Sequence, residues 1–178
     1  NFFFVSLYVQ QILDFSALEA GVGFLPFTAG ILTGSALAQV IIRRSGVKTS
    51  LVAGMSLATA GMLVMTQLQP DGSYAADLLP AMLPMAVGMG LVFVPLTLAA
   101  TTGVQAADAG LASGLFNTAQ QIGGALGLAV LATLANDRTA GALADGVARD
   151  TALVDGFQLA FTGGAVLLAL GLLGVVFG

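Results

Sequence analysis

The side chains best suited to act on a small molecule gather in one stretch of this chain: Ser113, Asn117, Thr118, Gln120 and Gln121. Ser113, Asn117, Gln121 and Gly124 follow one another by four, four and three residues, which places them on one face of a helix. Amides and hydroxyls offer both donors and acceptors. Inside a bilayer such groups must find a partner, either on another helix or in a solute-bearing, water-filled cavity. Gln10, Gln11 and Gln39 pose the same question elsewhere, and Phe93 and Phe116 could add aromatic walls to such a cavity. What these residues cannot do is covalent catalysis. The chain has no Cys and no His, so thiolate nucleophiles, Ser-His-Asp triads and the usual zinc sites are all missing. No metal site and no cofactor is expected, and an enzyme is disfavoured.

The elements that must carry these residues follow from composition. Of 178 residues, 57% are apolar and only 8% are charged, with a mean hydropathy of +0.98. A soluble domain carries about 25% charged residues, so this chain cannot clothe itself in a charged skin. The expected fold is an all-α membrane protein, a helical bundle in a lipid bilayer. Five basic side chains, none in a long run, give no track for a phosphate backbone, so no nucleic-acid partner is expected.

Charge divides the chain. The uncharged stretches are 1–13, 20–42, 49–70, 78–107, 109–136 and 156–178. All but the first reach the ~20 residues that a helix needs to cross a bilayer. Thirteen residues rise only ~20 Å, and the chain starts at Asn1 without an initiator Met. It therefore reads as a fragment: a partial first helix over 1–13, then full spans near 20–42, 50–69, 78–102, 109–135 and 157–178. The start is not a signal peptide, because it lacks a basic region and Asp14 stands where a cleavage site should be. Pro26, Pro84 and Pro95 fall inside spans, where proline kinks a helix. Residues 70–77 read as a turn, and Asp108 as an N-cap for the 109–135 helix.

Loops alternate between the two sides. Arg43, Arg44 and Lys48 crowd the 43–48 loop, which the positive-inside rule places in the cytoplasm, with 71–77 outside. The 137–155 stretch is expected to hold a short amphipathic helix on the outer surface, with Leu143, Val147 and Thr151 on one side and Asp145 four residues before Arg149. Small residues recur at helix-packing spacing in Gly30, Gly34 and Ala38, in Gly110 and Gly114, and in Gly123 and Gly127. Such rows let helices approach closely, and let them slide or rock past one another. No acid lies within a span, so no proton relay is expected in this chain.

At this point the chain resembles the C-terminal half of a major facilitator superfamily transporter, over essentially its whole length. The most specific part is the run Asp108–Val130, with its Gly-Leu-Ala-Ser-Gly start at 110–114 and its body of Asn117, Gln121, Gly123, Gly124 and Gly127. It is similar to the penultimate helix of the fourteen-span drug:proton antiporter branch. Gly90–Thr97, with Pro95, is similar to the helix before it, and Leu7–Gly21 to the helix-loop-helix that opens the C-terminal spans. In the 43–48 loop, Arg44, Gly46 and Lys48 match the superfamily's signature loop, while Arg43 and Val47 depart from it. That is the degenerate copy of the C-terminal half.

The resemblance implies alternating access around a midplane site, driven by a proton gradient, in a bacterial cytoplasmic membrane. It implies a second, N-terminal half bearing the coupling acids. The function it implies is efflux of small amphipathic solutes or drugs. Uptake or exchange by the same fold stays open, as does a non-transporting scaffold. Candidate solute-path residues are Ser113, Phe116, Asn117, Gln120, Gln121, Gln10 and Gln11. Candidate packing and gating residues are Gly30, Gly34, Gly110, Gly114, Gly123, Gly124, Gly127 and Pro95.

Overall fold

An uncharged run in lipid can satisfy its backbone polar groups only within its own helix, and the long apolar runs of this chain do so. The computed structural model describes residues 1–101, 103–105 and 108–177. Its helices are α1 (Phe2–Gln11), α2 (Ala17–Gly23), α3 (Leu25–Ser45), α4 (Val47–Met65), α5 (Leu79–Thr101), α6 (Ala109–Ala144) and α7 (Arg149–Phe177). A π-helical turn, Tyr74–Leu78, leads into α5. Among the described residues there is no strand, and five helical segments are long and apolar enough to cross a membrane.

α5 lies between α3 and α4; α4 also packs on α7, and α7 carries α6. The α3–α5–α4 layer is held by missing side chains. A β-carbon at Gly34 would collide with the carbonyl of Val87, and one at Gly54 would lie 2.8 Å from the carbonyl of Gly88. On α5, a β-carbon at Gly88 would meet the backbone of Ala58 at 2.5 Å. Lipid gives helices no hydrophobic reason to associate, so close backbone packing of this kind is a main source of attraction. Phe4 and Tyr8 of α1, Met62 and Met65 of α4, Met82 and Met85 of α5, and Phe157 and Phe161 of α7 fill the adjoining core.

One end of the bundle is tied by side chains to backbone carbonyls. The Tyr8 hydroxyl donates to the carbonyl of Gln69 at 2.8 Å, and the Gln158 amide donates to that of Leu68 at 2.7 Å. These two carbonyls lie just past the end of α4, and that of Gln69 also accepts the N–H of Gly72 at 3.2 Å. The Tyr74 hydroxyl donates to the carbonyl of Gly23 at 2.6 Å, and Arg138 pairs with Asp155 at 2.9 Å.

The expected span borders shift in several places. The 20–42 span is two helices, because Pro26 lacks an N–H and sits in the first turn of α3, so the ladder breaks at Phe24. A capping box between Ser16 and Glu19 starts α2 earlier, at Ala17. The 43–48 loop shrinks to Gly46, whose φ of +87° suits glycine. Arg43 and Arg44 occupy the last turn of α3, where cations favour the helix dipole.

The short amphipathic helix within 137–155 is not formed. α6 runs on to Ala144, and α7 begins at Arg149, leaving 145–148 between them. Arg149 lies 3.6 Å from Asp150 rather than pairing with Asp145. Charges mark where hydrocarbon ends, and the helical ladder continues past that point. Asp108 precedes α6 but makes no side-chain cap: its backbone is already helical, at φ −101° and ψ −2°, rather than extended as an N-cap requires. Residues 102 and 178, at the ends of two expected spans, lie outside the described residues.

Candidate functional site

The two parts of α6 have different surroundings. Its C-terminal part packs on α7, where a β-carbon at Gly156 would lie 2.6 Å from the carbonyl of Ala135. Its N-terminal part leaves that contact, and the only buried residues of the helix are Ala135 and Ala142. A β-carbon at Gly110, Gly114, Gly123, Gly124 or Gly127 would meet nothing within 4 Å beyond its own helix. Leu111, Leu115, Ile122 and Leu126 stand exposed along one side, at helical spacing.

The opposite side faces α5. There Ser113, Phe116, Asn117 and Gln120 of α6, with Phe93 and Thr97 of α5, line an open cleft of about 250 Å³. Phe93 and Thr97 are one turn apart on α5, so both side chains reach the same cleft. The Thr97 hydroxyl also bonds back to the carbonyl of Phe93 at 2.9 Å. Among the described residues, the side chains of Ser113, Asn117 and Gln120 make no hydrogen bond to any helix of this bundle. Amides with free donors and acceptors beside two phenyl rings can take a solute with an apolar body and a few polar groups.

The structure divides the residues singled out in the sequence. Ser113, Phe116, Asn117 and Gln120 come together. Gln121 does not line the cleft. Each step of four residues advances about 40° around a helix, so a row built on such steps drifts off its starting face, and Gln120 takes the place that Gln121 was expected to hold. Gln10 is exposed and bonds to Ser6 on its own helix, to the hydroxyl at 2.8 Å and to the carbonyl at 3.1 Å. Gln11 is half-buried, and neither glutamine reaches the cleft. Gly30 and Gly34 are buried against α5, and Pro95 is buried within α5. Arg43, Arg44 and Lys48 are exposed and form no ion pair among the described residues. Thr97 was missed as a site residue. Its spacing from Phe93 was visible, but only the neighbouring helix shows which face of α5 is lined.

Comparison with known proteins agrees with this architecture. A profile of the Major Facilitator Superfamily matches residues 1–128. A puromycin resistance protein of Streptomyces alboniger is 40% identical over 175 residues, covering 97% of this chain and 35% of the relative. A cephamycin export protein of Amycolatopsis lactamdurans is 38% identical, covering 80% of this chain and 30% of the relative. A tetracenomycin C resistance and export protein of Streptomyces glaucescens is 35% identical, covering 76% and 25%. The chain thus spans between a quarter and about a third of the length of these relatives. With five helical segments among the described residues long and apolar enough to cross a membrane, and with bacterial relatives such as these, it is an integral protein of the cytoplasmic membrane. The match over most of its length, and the transporters it is related to, identify the chain as a member of the Major Facilitator Superfamily.

Proposed function

We propose that this chain forms part of one helical bundle of a drug exporter, and that the α5–α6 cleft belongs to the path of an amphipathic solute. The exporter works by alternating access, with a second bundle closing over this one and a proton gradient as the driving force. The observation that carries the reading is the pair of amides at Asn117 and Gln120. Both face an open cleft, and among the described residues neither side chain makes a hydrogen bond. A buried amide without a partner costs a few kcal/mol, so unpaired amides lining a cleft are stable where water or solute reaches them. The names of the relatives support export and resistance as the class of activity, and puromycin as a first probe.

The test uses the complete exporter in inverted vesicles, with puromycin and ethidium as probes and a pH gradient that can be collapsed. Asn117→Leu and Gln120→Leu are expected to raise the apparent KM about tenfold, the worth of one well-placed hydrogen bond, with little change in thermal stability in detergent. Gln121→Leu is expected to do less. A clear loss of stability in Asn117→Leu with transport intact would show that the face is a packing surface. Gradient-independent movement, or no movement of either probe, would contradict export by proton exchange.

A further inference from the structure

Pro95 leaves a carbonyl without its donor. In a regular helix the carbonyl of Leu91 accepts the N–H of residue 95, and proline has none. Leu91 is buried, so water does not fill the gap. The structure supplies the missing donor from the next helix: the hydroxyl of Ser50, on α4, donates to the carbonyl of Leu91 at 2.9 Å. Ser50 is fully buried. It heads the α4 row that continues one helical turn at a time through Gly54 and Ala58, the row against which α5 packs at Gly88. The close approach allowed by Gly54 and Gly88 is what brings so short a side chain within reach.

We propose that Ser50 is a positioning residue for the solute path. It substitutes for the backbone donor that Pro95 lacks, and so fixes where the end of α5 beyond the proline stands relative to α4. That end carries Thr97, and Phe93 lies just before the proline, so the hydroxyl sets the wall of the α5–α6 cleft without touching it. The positioning role rests on reading that cleft as the solute path; the bond to Leu91 does not.

The experiment is a double-mutant cycle in the complete exporter, with Ser50→Ala, Pro95→Ala and the pair. It is read by thermal stability in detergent and by apparent KM for puromycin and ethidium. Ser50→Ala alone is expected to lower the melting temperature and to raise KM severalfold. In the Pro95→Ala background the helix regains its own N–H donor to Leu91, so removing the hydroxyl is expected to change neither quantity further. If Ser50→Ala prevents folding, the second substitution is expected to restore it.

Equal losses in both backgrounds, or a double variant no better than Ser50→Ala, would overturn the proposal. Coupling in stability with KM unmoved would leave the bond standing and overturn the positioning role. Loss of the solute-path reading shows itself separately, as Asn117→Leu leaving transport unchanged, while the stability coupling remains readable without any solute.

Discussion

Two regions of this molecule carry the same sequence signal and meet opposite fates. Gly30 and Gly34 on α3, Gly54 on α4, and Gly88 and Gly90 on α5 are filled to contact by the backbone or β-carbons of a neighbouring helix, with no room for a β-carbon of their own. On α6, Gly110 with Gly114 and Gly123 with Gly127 repeat the four-residue step of Gly30 and Gly34, and these and Gly124 face open space. A glycine row states that close approach is possible, and does not say what approaches. In the first region the partner is a helix of the same bundle, and the result is a rigid layer. In the second no described atom of another helix comes within contact of the glycines, and the side that carries Ser113, Asn117 and Gln120 meets α5 only across an open cleft.

The comparison is broken most severely by filling the packed row. Gly34→Val places a branched side chain into the carbonyl of Val87, and the overpacking is expected to cost about 3 kcal/mol. Yield and melting temperature in detergent check it, and a fold that accepts the valine would show that the α3–α5 contact is not structural. The matching change on α6, Gly124→Val, is expected to leave stability within about 0.5 kcal/mol, as for substitutions that touch nothing. Transport should fall instead, because the added side chain narrows the open face.

A smaller effect is expected at the tied end. Tyr8→Phe removes the bond to the carbonyl of Gln69, and a polar bond of this kind in a membrane protein contributes only ~0.6 kcal/mol on average. The melting temperature should fall slightly with transport unchanged, and a large transport defect would mean that this end takes part in the working motion. The least disturbing change concerns sidedness. Ser45→Cys, next to Arg43 and Arg44, should resist an impermeant maleimide in whole cells, and Asp71→Cys should react; the reverse pattern would invert the topology.

Much of the fold was legible because charge is so scarce. Each long uncharged run is matched by a helical segment long and apolar enough to cross a membrane, while the stretch read as a turn, 70–77, is one only as far as Ser73, because the π-helical turn Tyr74–Leu78 takes up its second half. Helix ends were less legible. Asp137 and Arg138 mark the end of hydrocarbon, yet α6 continues through them to Ala144, since a helical ladder outlasts the lipid around it. Pro26 showed the converse, breaking a run that composition left whole.

For the candidate site, the polar face of α6 could be read from spacing, but the choice between Gln120 and Gln121 depended on helical drift and on where α5 stands. Phe93 was legible as a possible aromatic wall, whereas Thr97 joined the cleft only through tertiary contact. Ser50 gave a weaker signal of its own. A proline within a span announces an orphaned carbonyl, and a hydroxyl on a neighbouring helix is the natural group to satisfy it.

The most direct test of the central claim, that one face of α6 is open to water and solute while the other meets lipid, is a cysteine scan along that helix. This chain contains no native cysteine. Single cysteines are placed at Ser113, Asn117 and Gln120 and at Leu111, Leu115 and Ile122 of the complete protein, with any cysteine elsewhere replaced. Each is exposed to a small charged thiol reagent with and without puromycin. Reaction is expected at Ser113, Asn117 and Gln120, slowed by the solute, and none at the other three. Reaction on the Leu111–Leu115–Ile122 side, or protection of all six positions, would contradict it.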